Sequence, residues 1–353
     1  SRSVAIGRRS LFAQNFTTAT DAYNVAVGFS AGEAVTTGIN NTLIGSLAGD
    51  ALTDADYNVS VGTLSLTGDT LGSKSTAIGY ATLQTQNFTT ATDTFNTAIG
   101  AYAGVSVTTG VQNTLIGGLA GDALTTGSLT AVGYSAGGSA TTSVGNVFMG
   151  ELAGGSVTTG ANNTAVGSQA LSTEDAHGAN VAIGHDALKV LNAGADGYNV
   201  AVGWNAGLAL TTGTANTFLG AASGEAITTG SKNTIIGPYS GNSGGLDIRT
   251  ASNNIVLSDG DGNTNGYYLG SQDQWVFKGQ DTGQYAMQIL HTVSSASPYG
   301  LNIDFTASAP NNTTQAFLVC QDSVVIRLEI KSNGNIVNTN NSYGAISDVK
   351  LKE

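Results

Sequence analysis

From Asn41 the chain reads Asn-Thr-Leu-Ile-Gly-Ser-Leu-Ala-Gly-Asp-Ala-Leu-Thr, and this order of polar, apolar and small positions returns along most of its length. Its marker is a small residue, then Val, Ile or a close stand-in, then Gly. The glycines are Gly7, Gly28, Gly45, Gly62, Gly79, Gly100, Gly117, Gly133, Gly150, Gly167, Gly184, Gly203, Gly220 and Gly237, most of them 17 residues apart and twice 21. A short fixed period means one supersecondary unit stacked on itself. In Thr42-Leu43-Ile44 successive side chains alternate, so Thr42 and Ile44 share a face. The next glycine permits a corner that a side chain would obstruct. Thr-Thr-Gly at 36–38, 108–110, 158–160, 211–213 and 228–230 marks a turn. The Asn that opens each unit can bond neighbouring backbone, and stacked Asn residues can form a ladder along the axis. Each unit has room for two strands of about five residues and two turns. The pattern therefore predicts an all-β chain: a parallel β-roll or β-solenoid of about 14 coils over residues 1–242, on the order of 65 Å long. So thin a coil leaves an apolar face uncovered, which predicts association of identical chains around an axis.

Two features interrupt the regularity. The segment 14–21 (Gln-Asn-Phe-Thr-Thr-Ala-Thr-Asp) recurs at 86–93, 72 residues later, so a four-coil block is duplicated. It reads as a longer surface turn, or as a lateral docking bump carrying Phe16 and Phe88. Near Gly241 the period ends. Residues 243–345 have isolated strand patterns at 254–257, 267–269, 275–277, 286–290, 301–305, 316–320 and 324–330, separated by Gly, Asn, Asp and Pro clusters. They read as a distal all-β domain and the candidate receptor-binding tip.

Composition narrows the function classes. Charged residues are 10 % of the chain and the formal charge is −12. Between Arg9 and Lys189 the only cation is Lys74. Nucleic-acid binding needs a basic face, and an anionic membrane surface needs the same. No apolar run has the length of a membrane span, so membrane insertion is not expected. The single cysteine, Cys320, excludes an intrachain disulfide and reads as a buried structural thiol. No cofactor is implied.

Candidate chemistry is sparse. Asp259, Asp261 and Asn263 place oxygen ligands at alternate positions, as at the start of a calcium loop, but the closing acid is missing and a polar hairpin turn serves equally. His177, His185 and His291 have no metal-ligand spacing. Glu174 and Asp175 form a local acidic pair, without the marked pair of carboxyls that glycoside cleavage requires. Thr ladders of this kind also occur on flat ice-binding faces, although glycines spoil the flatness here. Tyr267, Tyr268, Trp275, Tyr285 and Tyr299 are candidate anchors for a partner or a sugar ring, and equally candidate core residues.

The unit Asn-x-Ala-Val/Ile-Gly-x-x-Ala, as in residues 24–31 and 199–206, resembles the head repeat of trimeric autotransporter adhesins. That resemblance implies a homotrimeric, left-handed parallel β-roll. The stretch 332–353, which ends Ser-Asp-Val-Lys-Leu-Lys-Glu, is similar to the junction before the intramolecular chaperone of endosialidase-type phage tail proteins. This second resemblance implies a chaperone opening at 346–353 that trimerises a fibre and then cuts itself off, with Ser347 as nucleophile and Lys352 as its lysine. Together they imply a non-enzymatic trimeric tail fibre, an extracellular virion component. Its partners would be two identical chains, other virion tail proteins and a glycan or protein of the host surface. A bacterial trimeric surface adhesin is the alternative, and a tailspike polysaccharide depolymerase a third.

Overall fold

A computed structural model describes residues 2–278, 316–321, 326–331 and 336–338. The chain divides into two units, Ser1–Ala286 and Met287–Glu353. The first is a parallel β-solenoid. Fifteen short strands, one per coil, run from Val4–Ile6 through Val25–Val27 and Thr42–Ile44 to Thr234–Ile236 and Ile255–Ser258. Each pairs in parallel with the strand of the next coil, in residue-for-residue register as in Val25 with Thr42, Ala26 with Leu43 and Val27 with Ile44, apart from one shift between Ser128 and Leu129. The stack thus reaches one strand past Gly241, and only then turns antiparallel, through Thr264–Leu269 and Gln274–Phe277.

The second strand expected in each coil does not form as a continuous row; a second parallel pairing joins only Gly72–Ser73 with Thr92–Asp93 among the described residues. After the corner glycine the backbone visits the left-handed region at every second residue, as at Leu47 (φ 58°) and Gly49 (φ 55°). Alternating left-handed residues curl the chain, so this side of the coil is a run of turns. It is stacked nonetheless: Leu47 N–H donates to Phe29 C=O at 2.9 Å, and Gly49 N–H to Ser65 C=O at 2.9 Å. The corner glycines form their own column. A Cβ on Gly45 would lie 2.5 Å from the carbonyl oxygen of Gly62, so no side chain fits there.

The Asn ladder expected from the sequence is present and buried. Asn24, Asn41, Asn58, Asn96, Asn113, Asn146, Asn163, Asn180, Asn199, Asn216, Asn233 and Asn254 are each at most 2 % exposed. The Asn41 amide donates to the Ala55 carbonyl of its own coil at 2.7 Å. Its Oδ1 accepts the backbone N–H of Asn58, one coil on, at 2.9 Å. A second ladder uses the first Thr of the Thr-Thr-Gly turns: Thr36 Oγ1 donates to Thr53 C=O, and Thr108 to Thr125. Those hydroxyls serve the backbone, which removes them from any water-ordering face.

Where the Asn ladder breaks, the structure compensates. Ser75 is too short to hold the ladder position, and Gln86 from the duplicated insertion fills the gap. Its Nε2 donates to Ser75 Oγ at 2.9 Å and Asp69 Oδ2 at 2.6 Å, and its Oε1 accepts from Asn96 at 2.8 Å. With Phe88 also buried, this copy of the insertion seals the core and is more than a surface turn. At Leu129, which also lacks the amide, the neighbouring strands lengthen to Ser128–Val132 and Val144–Met149 and pair directly.

Core volume is exchanged between two rows. The middle strand residue is large in some coils (Leu43, Leu115, Phe148, Phe218), and there the left-handed position beyond the corner is glycine (Gly49, Gly121, Gly154, Gly224). Where the middle residue is Ala77, Ala165 or Ala182, that position is Leu83, Leu171 or Leu188. A Cβ on Gly154 would lie 2.6 Å from the Phe148 ring, which explains the exclusion. A left-handed leucine costs roughly 1–2 kcal/mol of backbone strain, comparable with the 1.5–3 kcal/mol gained by burying it. Near the end of the stack Tyr239 is fully buried and its hydroxyl donates to Leu246 C=O at 2.7 Å.

The second unit, taken by itself, contains a three-stranded antiparallel sheet of Ala316–Gln321, Ile326–Lys331 and Ile336–Asn338. Cys320 is exposed, which corrects the expectation of a buried thiol. Leu318 and Val319 before it, on opposite faces of the strand, are exposed too, so neither face of this small sheet is covered among the described residues. The expected strands at 286–290 and 301–305 lie outside the described residues.

Two outcomes follow for stability in urea or heat. Asn41→Ala strands the Asn58 N–H and the Ala55 C=O, and is expected to cost roughly 2–4 kcal/mol. Phe148→Ala is expected to cost about 3–5 kcal/mol, and the double change Phe148→Ala with Gly154→Leu to recover part of it, because it recreates the Ala165–Leu171 arrangement.

Candidate functional site

The strand residues before and after the buried middle position point outward. They build two rows along the solenoid: Thr or Val in the first (Val25, Thr42, Val59, Thr76, Thr97) and aliphatics in the second (Ile44, Ile78, Ile99, Ile183, Leu219, Ile236, Leu257). Neither row contains a charged residue over the fifteen coils. Exposed aromatics flank the strands. Tyr23, Tyr57, Phe95 and Tyr198 stand two residues before the first row, and Phe29, Tyr80, Tyr134 and Trp204 stand two after the second. Arg2 lies over Tyr23, Arg8 over Phe29 and Lys74 over Phe95, at 5.3–5.7 Å from the ring centres. These residues were not singled out from the sequence. Their fixed place in the repeat frame was the available signal.

The antiparallel end carries the same face onward. Ile255 pairs with Tyr268 and Tyr268 with Trp275, while Leu257 pairs with Gly266 and Gly266 with Phe277. Cross-strand partners share a sheet face, so the outward rows lead into Tyr268, Trp275 and Phe277. The Tyr268 and Trp275 rings are 5.6 Å apart, and Trp275 stacks on Phe277 at 6.0 Å and 9°. Trp275 is 49 % exposed. Tyr267 points the other way, against the core, with Lys278 over its ring. Of the five aromatic candidates, the structure thus joins Tyr268 and Trp275 and separates Tyr267 from them; Tyr285 and Tyr299 lie outside the described residues, as do Ser347, Lys352 and His291.

The loop at Asp259 is a hairpin turn. The Asp259 carboxylate accepts Asp261 N–H and Asn263 N–H, both at 3.0 Å, and the amides of Asn263 and Asn265. These bonds, that from the Asn263 side chain foremost, hold its carboxyl below the ordinary aspartate range. These bonds are spent inside the loop.

An open groove of about 470 Å³ lies on the turn side, lined by Asp122, Ser135, Gly138, Ser139, Ser156 and Gln169 among others. Gly138 and Gly155 hollow it out of a row that holds Glu33, Asp50 and Asp122 in other coils. It is shallow and polar, and no opposed pair of carboxylates lines it. No helix long and apolar enough to cross a membrane occurs among the described residues. No family model, curated protein or solved structure matches the chain.

Burial pushes the carboxyls of Asp50, Asp56 and Asp122 upward, in each case mainly by desolvation. A folded state with raised carboxyls binds protons that the unfolded chain does not, so stability rises as pH falls through that window. The thermal midpoint is therefore expected to climb on acidification from pH 7 toward the ordinary aspartate range near pH 4. It should fall again below that range, where carboxyls held low in the fold, such as Asp247 and Asp259, take up protons. Asp122→Asn should shrink the climb; thermal melts at fixed ionic strength check both.

Proposed function

We propose that this chain is the structural and adhesive shaft of a homotrimeric, non-enzymatic phage tail fibre that attaches the virion to a host surface. The observation that carries the reading is the uncharged outward face, which runs without a break from the first coil into the Tyr268–Trp275–Phe277 cluster. Fifteen coils about 4.8 Å apart and strands about 10 Å wide make that face on the order of 700 Å². This is close to the roughly 800 Å² that each partner contributes to a specific interface. A surface repeating every coil is complementary to copies of itself, and trimeric closure leaves no coil uncovered. The flanking Tyr, Phe and Trp residues then lie at the subunit boundaries. Three copies of each receptor-binding surface give avidity.

The resemblance of 332–353 to a chaperone junction supports the phage reading and self-cleavage at Ser347, assisted by Lys352. The repeat itself favours a bacterial trimeric surface adhesin as the second reading. A chaperone sequence encoded downstream supports the fibre, and a membrane-anchoring barrel the adhesin.

Light scattering of the protein is expected to return three times the chain mass of 35.4 kDa. Ile99→Lys with Ile116→Lys, in the middle of the outward row, is expected to shift it to monomer while the coil stays folded by circular dichroism. A folded wild-type monomer would sink the proposal. For attachment, the soluble trimer should slow adsorption of the virion that carries it, and indifference to excess trimer would leave only the structural half standing.

A further inference from the structure

One core row changes character once in the second half of the solenoid. Val107, Leu124, Ala140 and Val157 precede the change, and Leu191, Leu210 and Ile227 follow it, all buried and apolar. Between them stands Glu174, with no exposed surface at all. A carboxylate in an apolar row is costly unless a positive group compensates it. Among the described residues its ion-pair partner is His177, whose Nδ1 lies 3.3 Å from Glu174 Oε1. Asp175 Oδ1 lies 3.9 Å from the same Nδ1. One ligand atom from each of the three side chains falls within 4.8 Å of the other two.

Asp69, the other acid in this row, shows what a satisfied carboxylate looks like here: it accepts bonds of 2.6, 3.0 and 3.1 Å. Glu174 accepts bonds of 3.2 Å from Asp175 N–H, 3.3 Å from Ala193 N–H and 3.3 Å from the imidazole. All three are long for a buried ion, which should form short charge-assisted bonds. We infer that Glu174, Asp175 and His177 form a binding site for one divalent transition cation of the zinc class.

The parts are arranged for it. Ala193, from the next coil, fixes Glu174 Oε2 and leaves Oε1 facing the imidazole. The His177 carbonyl is held by Asn163 of the Asn ladder at 3.1 Å, which anchors the loop. Adjacent ligands of a tetrahedral zinc with bonds of about 2.0–2.1 Å sit roughly 3.3 Å apart, the separation of Glu174 Oε1 and His177 Nδ1. Asp175, whose side chain is 52 % exposed, would close the remaining distance by rotating away from the Ala176 N–H that its Oδ1 accepts at 2.5 Å, leaving a water position on the solvent side. An imidazole among the ligands favours zinc over calcium, which prefers oxygen alone. The ion would neutralise Glu174 and tie the core to a loop that has lost the Thr-Thr-Gly turn of the preceding coil.

The test is calorimetric titration of Zn²⁺ into the folded chain at neutral pH in a weakly coordinating buffer, with a thermal melt of each sample. One zinc per chain and a raised midpoint are expected, with no competition from Ca²⁺. His177→Gln keeps a donor to Glu174 and should weaken binding at least tenfold. Glu174→Leu restores the residue found at 124, 191 and 210, should fold, and should lose both the zinc and the zinc-dependent rise. His185→Gln, at the other described histidine, should change neither. No uptake at several hundred micromolar zinc, or uptake unchanged in His177→Gln, would overturn the assignment.

Discussion

The solenoid depends on one demand: every buried polar group of a coil has to be satisfied by the coil above or below. A single three-residue strand per coil cannot meet that demand, because most of the backbone lies in turns. The buried asparagines meet it at the strand end, each amide spanning from its own turn to the next coil's backbone. The threonine hydroxyls meet it at the turn. Where an asparagine is missing the fold has to pay in another form, either a glutamine reaching in from an insertion or a longer strand. In the second copy of the insertion Ser75 and Gln86 are a matched pair, and Asn96 resumes the ladder through Gln86 Oε1.

The apolar interior obeys a similar coupling. The coil is so narrow that the middle strand residue and the left-handed residue opposite it occupy the same space. Phe148 with Gly154, and Ala165 with Leu171, are alternative ways of filling one volume. Such a core tolerates variation in pairs and resists it singly. It also lets the outer surface vary, since outward residues take no part in the ladders. The outward rows nevertheless stay uncharged along the whole stack, a regularity that folding of a single chain does not require.

That surplus regularity is what the proposed trimer uses. It also changes the reading of Tyr268 and Trp275. On the sequence they are candidate receptor anchors. In the structure they extend the outward face of the solenoid, so in the proposed assembly they sit where chains meet.

The parallel stack and the Asn ladder were legible in the sequence, because a strict period makes each coil's neighbours copies of itself and near neighbours dictate the bonding; the fifteenth strand, beyond the last regular glycine, was not. The face shared by Thr42 and Ile44 followed from alternation alone. The absent second strand did not, since left-handed residues such as Leu47 are ordinary leucines until the neighbouring coil holds them. Nor did the exposure of Cys320, which turns on what covers a sheet. The inward reach of Gln86, the junction of Tyr268 with Trp275 and the gathering of Glu174, Asp175 and His177 around one point depend on where side chains aim across coils. A linear pattern records which residues recur; only the stacked structure decides which of the irregular ones meet, because each exception is resolved by a different neighbour.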